Sequence, residues 1–137
     1  MALNLSPEPG VKLTKKDRAH LLKKMKQGWK ATCLIPDYVF DENGDIQINS
    51  DKNRRLVKVV RIQDDGIHIE KALKSKTLRI RWDKIASIGN SKEVKDALEI
   101  NMKDGTYVAF GIYNSYKIKH NTKFIADYIA NKCNERN

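Results

Sequence analysis

The densest functional signal in this 137-residue chain is a run of cations, Lys71, Lys74, Lys76, Arg79 and Arg81. The last two stand in Thr77-Leu-Arg-Ile-Arg-Trp-Asp83. On an extended chain both arginines leave one face, while Leu78, Ile80 and Trp82 leave the other. Guanidinium forks bind carboxylate and phosphate oxygens two at a time, so the chemistry on offer is anion binding. A second cationic set, Lys15, Lys16, Lys23, Lys26 and Lys30, falls within about 100° of arc if residues 14–30 are helical. The chain's net charge of +10 divides as +6 over residues 1–30, −2 over 31–55 and +6 over the remainder. Such a field favours phosphate-rich or acidic partners: nucleic acid, anionic lipid or an acidic protein surface.

Residues able to carry catalysis are scattered. The sequence holds no zinc-helix motif, no phosphate-cradling glycine loop and no strand–turn–helix nucleophile elbow. His68-x-Glu70 echoes a deaminase, but the paired cysteines that would hold its zinc are absent. His20, His68 and His120 are dispersed, as surface or turn histidines are. Asp41, Asn43 and Asp45 suggest a calcium loop, yet Ile46 stands where such a loop needs glycine, so a turn is expected. Cys33 and Cys133 match no metal or redox spacing and read as free, buried thiols of a reducing cytosol, with their pairing left open. The expectation is a non-enzyme with no metal and no cofactor.

The elements that must position the cations follow from periodicity. Residues 1–13, with Pro7, Pro9 and Gly10, read as an irregular arm. Thr14 and Asp17 form a capping-box pattern that starts a helix, and Leu21, Leu22, Met25 and Trp29 share its apolar arc. Gly28 is the natural stop, leaving Trp29 to fold back onto Met25. The helix either packs on the domain or docks on a membrane, a nucleic acid or a partner's groove. Residues 32–49 read as a hairpin turning at Glu42-Asn43-Gly44-Asp45, and Asn49–Arg55 as a polar connection. Leu56–Ile62 is a strand, Asp64-Asp65-Gly66 a turn, and Ile67–Glu70 a further strand. Ile85 and Ile88 make a short apolar step that ends at Gly89. Asp104-Gly105 closes a hairpin between Leu98/Ile100/Met102 and Val108/Phe110/Ile112. A final helix over about 121–134 is capped by Asn121 or Thr122 and carries Phe124, Ile125, Tyr128 and Ile129 on one face. The fold class is mainly β: an antiparallel sandwich or partly open barrel of six or seven strands, with a C-terminal helical cap and an extra N-terminal amphipathic helix.

This plan resembles a pleckstrin-homology-like domain over about residues 34–133, within a domain of 31–137. A strand ending in Asp65-Gly66-Ile67, the Trp82-Asp-Lys-Ile-x-x-Ile88 segment and the late Asp104-Gly105 hairpin look like the small bacterial and phage versions. The resemblance implies a sandwich whose open corner is plugged by the last helix, here through Phe124, Tyr128 and Ile129. It also implies that the Lys-x(n)-Lys/Arg-x-Arg pattern, matched by Lys71, Arg79 and Arg81, meets phosphoinositide headgroups. Three functions follow. The first is a non-catalytic adaptor that docks a protein partner at a free sheet edge or in a groove beside the helix. The second is peripheral attachment to an anionic membrane, through the Lys15–Lys30 helix and the Lys71–Arg81 hairpin. The third is nucleic-acid binding, disfavoured because no aromatics interleave with the basic strand. Exposed edges also leave homo-oligomers open. No apolar run approaches the roughly 20 residues of a spanning helix and no apolar signal core precedes Lys12, so a cytoplasmic, at most membrane-peripheral, protein is expected.

Overall fold

The computed structural model describes residues 13–40, 42–43, 46–70, 77–114 and 121–136. The arm up to residue 12, Asp41 and Asp45 of the acidic triplet, His120, and the cations Lys71, Lys74 and Lys76 lie outside the described residues.

Helix α1 (Lys15–Gln27) starts where Thr14 accepts the Asp17 amide and Asp17 accepts the Thr14 amide, each at 3.1 Å. Two amide donors that the helix cannot use internally are thereby satisfied. It ends at Gly28, whose φ of +95° suits glycine, so Trp29 and Lys30 belong to the first strand and not to the helix. Leu21 and Met25 are buried, whereas Leu22, expected beside them, is 38% exposed.

Strands β1 (Trp29–Phe40) and β2 (Ile46–Gln63) form one long antiparallel hairpin running from Trp29↔Val60 to Phe40↔Ile46. The segment Asn49–Arg55, expected to be a connection, is part of β2. Its polar residues carry no apolar alternation, but the β1 ladder opposite them, Ile35↔Arg54 and Pro36↔Asn53, satisfies their backbone. Pro36 then poses a problem on its other side, where continuing the β1–β7 register would set it against Tyr107 without an amide to donate. Asn53 solves it: its Nδ2 donates to the Tyr107 carbonyl at 2.8 Å.

The Asp64-Asp65-Gly66 turn leads into β3 (Gly66–Glu70) and β4 (Leu78–Arg81). Gly66 has φ +154°, and a Cβ there would sit 2.1 Å from the Ile80 carbonyl oxygen, so the close approach of β3 and β4 demands glycine. The alternating segment ends as a strand at Arg81; Trp82 opens a single 3-10 turn, Trp82–Lys84. Trp82 is nonetheless buried as its spacing predicts, with its indole N–H donated to the Asp64 carbonyl at 2.8 Å. Strand β5 (Ile85–Asn90) follows, then β6 (Ala97–Met102) and β7 (Tyr107–Gly111), the last two joined at Asp104-Gly105 as expected.

The seven antiparallel strands run β4-β3-β2-β1-β7-β6-β5 and curl into a half-barrel around one core. Both cysteines lie in that core as free thiols, and burial pushes Cys33 up to about 12 and also raises Cys133. Helix α2 (Thr122–Arg136) packs on the 3-10 turn, β5 and β6. Its fully buried contacts are Ile125, Ala126, Ile129 and Cys133; Phe124 and Tyr128, expected in the plug, sit only half-buried at its flank. Asn121 precedes the helix, and its side-chain amide donates to the Tyr113 carbonyl, tying α2 to the chain beyond β7.

Residues 91–96 fold back over the outer face, where Val94 packs on Leu34, Ala97 and Ala109. Tyr107 donates to Glu93 Oε1 at 2.6 Å, and Arg55 donates to the Glu93 carbonyl at 3.2 Å. The Glu93 hydrogen bond, then burial and the charges of Glu93 and Glu99, push the Tyr107 phenol up to about 12. The stabilisation this proton gives is complete below the ordinary tyrosine pKa of about 10 and is lost as pH rises through about 12. Absorbance titration of the phenolates should show a late-ionising component from Tyr107 in the parent chain. In Glu93→Gln that tyrosine should move down toward the ordinary range.

Candidate docking surfaces

The outer face of β2, β3 and β4 carries the described part of the predicted anion site, Arg79 and Arg81. Register sets Arg61, His68 and Arg79 in one row across the three strands, with Arg81 opposite Gly66 in the next. Arg79 and Arg81 are exposed and leave the same face, as their spacing predicts. Sequence reading missed their companions. Arg79 Nε lies 3.7 Å from Asp65 Oδ2, and Arg81 Nε lies 3.8 Å from Asp83 Oδ1. Arg61 pairs with Glu70. His68 Nε2 donates to Asp65 Oδ1 at 2.8 Å. Burial alone would raise the Asp65 carboxyl, but His68 and Arg79 outweigh it and hold the group below its usual value. Arg61, Arg79 and Arg81 therefore each have a carboxylate beside them. The two β4 pairs are loose and solvent-exposed, worth little in stability, but they cancel much of the field an incoming anion would feel.

Arg61 has a second role. Its Nε donates to the Gln27 carbonyl at 3.1 Å, and Gln63 donates to the Lys26 carbonyl at 2.9 Å. Both satisfy carbonyls at the C-terminal end of α1, where the helix dipole also favours a cation. On its other contacts α1 meets Tyr113: His20 Nε2 lies 3.2 Å from the phenol oxygen, and Lys24 Nζ stands 5.3 Å from the ring centroid. Trp29 closes the junction by donating to the Gly111 carbonyl at 2.9 Å. The apolar stripe of α1 is spent on its own domain and is not offered to a partner's groove.

What α1 does offer is charge. Leu21 and Met25 define its buried side, and Lys15, Lys16, Lys23 and Lys26 are all exposed. Lys30, expected with them, is exposed on β1. The helix's acid, Asp17, is engaged in the capping box.

A third surface is backbone. Among the described residues β4 and β5 end the sheet and pair on one side only. Strand β4 displays Arg79 and Arg81, charges of the kind that discourage edge pairing, whereas β5 reads Ile-Ala-Ser-Ile-Gly-Asn with no charge. Ala86 is exposed, and a side chain at Gly89 would meet nothing within 4 Å, so the fold does not require glycine there. Among the described residues no group of three or more His, Cys, Asp or Glu side chains is placed to hold a metal ion, and no helix is long and apolar enough to cross a membrane.

No protein-family model matches the chain, and no curated protein matches it by sequence. Solved structures do. Inner membrane complex sub-compartment protein 3 from Toxoplasma gondii superposes with a TM-score of 0.59 at 11% identity, over 97% of this chain and 96% of that one. Sub-compartment protein 1 of the same complex and organism gives 0.60 at 11% identity, over 93% of this chain and 99% of that one. Both are pleckstrin-homology-like folds, and at this identity what the chain shares with them is that fold.

The compensation on the strand face is testable. Removing two of its acids, Asp65→Asn with Asp83→Asn, should move elution from a heparin column to distinctly higher salt. If retention is unchanged, those acids do not mask Arg79 and Arg81.

Proposed function

We propose that this domain is a non-catalytic docking module that holds a protein partner at the open edge of β5, beside α2. The observation that carries this reading is the edge itself: a six-residue strand, uncharged, with one side of its backbone unpaired among the described residues. An extended segment can add to such an edge through main-chain hydrogen bonds, and half-buried Phe124 and Tyr128 on α2 supply apolar surface for its side chains. The names of the structural neighbours, as proteins of a membrane sub-compartment, agree with a role in assembly. Buried free thiols agree with a reducing, cytoplasmic setting. The likeness of Trp82–Ile88 to small bacterial and phage domains belongs to the same proposal. Phosphoinositide recognition by Lys71, Lys74, Lys76, Arg79 and Arg81 is less favoured, because the two described arginines already face carboxylates.

A photo-crosslinking residue at position 86 should give a discrete adduct with one partner protein, and the same residue at exposed Asp127 should not. Placing lysines on the edge, Ala86→Lys with Gly89→Lys, should lower partner capture at least about tenfold while changing stability by no more than about 0.5 kcal/mol. Adducts that form equally at both positions, or capture that survives the lysines, would refute the edge. An adduct of twice the chain's mass would identify the occupant as a second copy and not a different protein.

A further inference from the structure

We propose that the outward stripe of α1, Lys15, Lys16, Lys23 and Lys26, attaches the domain to an anionic bilayer, independently of the β5 edge. The two cationic faces differ in their compensation. On the strand face Arg61, Arg79 and Arg81 each have a carboxylate partner. On the helix, among the described residues, none of the four lysines has an ion-pair partner. They occupy about 100° of arc opposite Leu21 and Met25 and run for about 16 Å along the axis. Four cations without an ion-pair partner thus stand together on one helix face.

The domain also fixes which way that charge points. Arg61 and Gln63 hold the last carbonyls of α1 from the sheet side, and Lys24 is engaged over Tyr113. With Leu21 and Met25 buried, the helix cannot roll its lysines inward without exposing apolar surface.

The composition of the stripe selects the partner. Between the lysines lies only Ala19, with Gln27 and Leu22 at the two margins. A protein interface draws most of its energy from buried aromatic or arginine anchors, and the stripe has none. A single-stranded nucleic acid would need aromatic platforms for its bases. Duplex phosphates are met best by cations following a groove, and one straight convex helix presents a single line. A bilayer asks only for several cations held together within a Debye length of its surface, each worth about a fivefold gain in partitioning. Flexible, hydrated lysine ammonium groups suit that task, which requires no fixed geometry.

The test is co-sedimentation of the full chain with phosphatidylcholine vesicles containing phosphatidylserine, at low and at physiological salt. Two charge-matched variants are compared, Lys23→Gln with Lys26→Gln and Arg79→Gln with Arg81→Gln, both on exposed positions that leave the core intact. The parent chain should bind these vesicles, weaken as salt rises, and ignore vesicles of phosphatidylcholine alone. The helix pair should lose about 25-fold in partitioning and the strand pair less than about threefold. No binding at low salt would overturn the proposal, as would equal losses in the two variants. Tighter binding to a DNA or RNA duplex through the same lysines would overturn it in favour of nucleic acid.

Discussion

A curled sheet that does not close must have its core sealed by something else, and the rest of the molecule follows from that constraint. Strands β4 and β5 end the sheet without pairing to each other, so the inner side chains of seven strands share one core with an unfinished rim. Helix α2 covers part of that rim through Ile125, Ala126, Ile129 and Cys133. Helix α1 covers another part through Leu21 and Met25, next to Trp29. Each tryptophan sits at a junction with its indole N–H satisfied by a main-chain carbonyl, Gly111 for Trp29 and Asp64 for Trp82. Burying so large a side chain stabilises the fold only when that polar atom is paired, and both are.

Sealing the core has a consequence for charge. Because the apolar side of α1 is consumed by the domain, its lysines have nowhere to go but outward. Because β2, β3 and β4 are in register, Arg61 meets Glu70 of the neighbouring strand and Arg79 meets Asp65 of the Asp64-Asp65-Gly66 turn, while Arg81 meets Asp83 just beyond its own strand. Two groups that look alike as runs of lysine and arginine therefore differ in the field they project. One also does structural work: Arg61 joins Glu70 to the end of α1, coupling the sheet to the helix that carries the outward charge.

Local features were legible in the sequence. The Thr14–Asp17 capping box, the glycine stops at Gly28 and Gly105, the inward Trp82 and the two strands around Asp104-Gly105 depend on residues a few positions apart, and each stands as its spacing implies. What escaped is non-local. The polar stretch Asn49–Arg55 is a strand because β1 lies opposite it, a fact no pattern within those residues contains. Asn53 serves a carbonyl on β7 because Pro36 cannot. The acids beside Arg79 and Arg61 come from the β3 side of the ladder, so the basic pattern could be read from β4 while its neutralisation could not. The exposure of Leu22 and the half-burial of Phe124 and Tyr128 depend likewise on where the neighbouring element ends.

The claim on which the account turns is that α1 is part of the domain's cooperative core, which is what orients its lysines outward. Amide hydrogen exchange of the intact chain tests it directly. The account predicts that the amides of Lys24 through Gly28 exchange as slowly as those of β1 and β2, through opening of the whole domain. Fast exchange along α1 while the sheet stays protected would show a helix that detaches on its own, and would contradict the account.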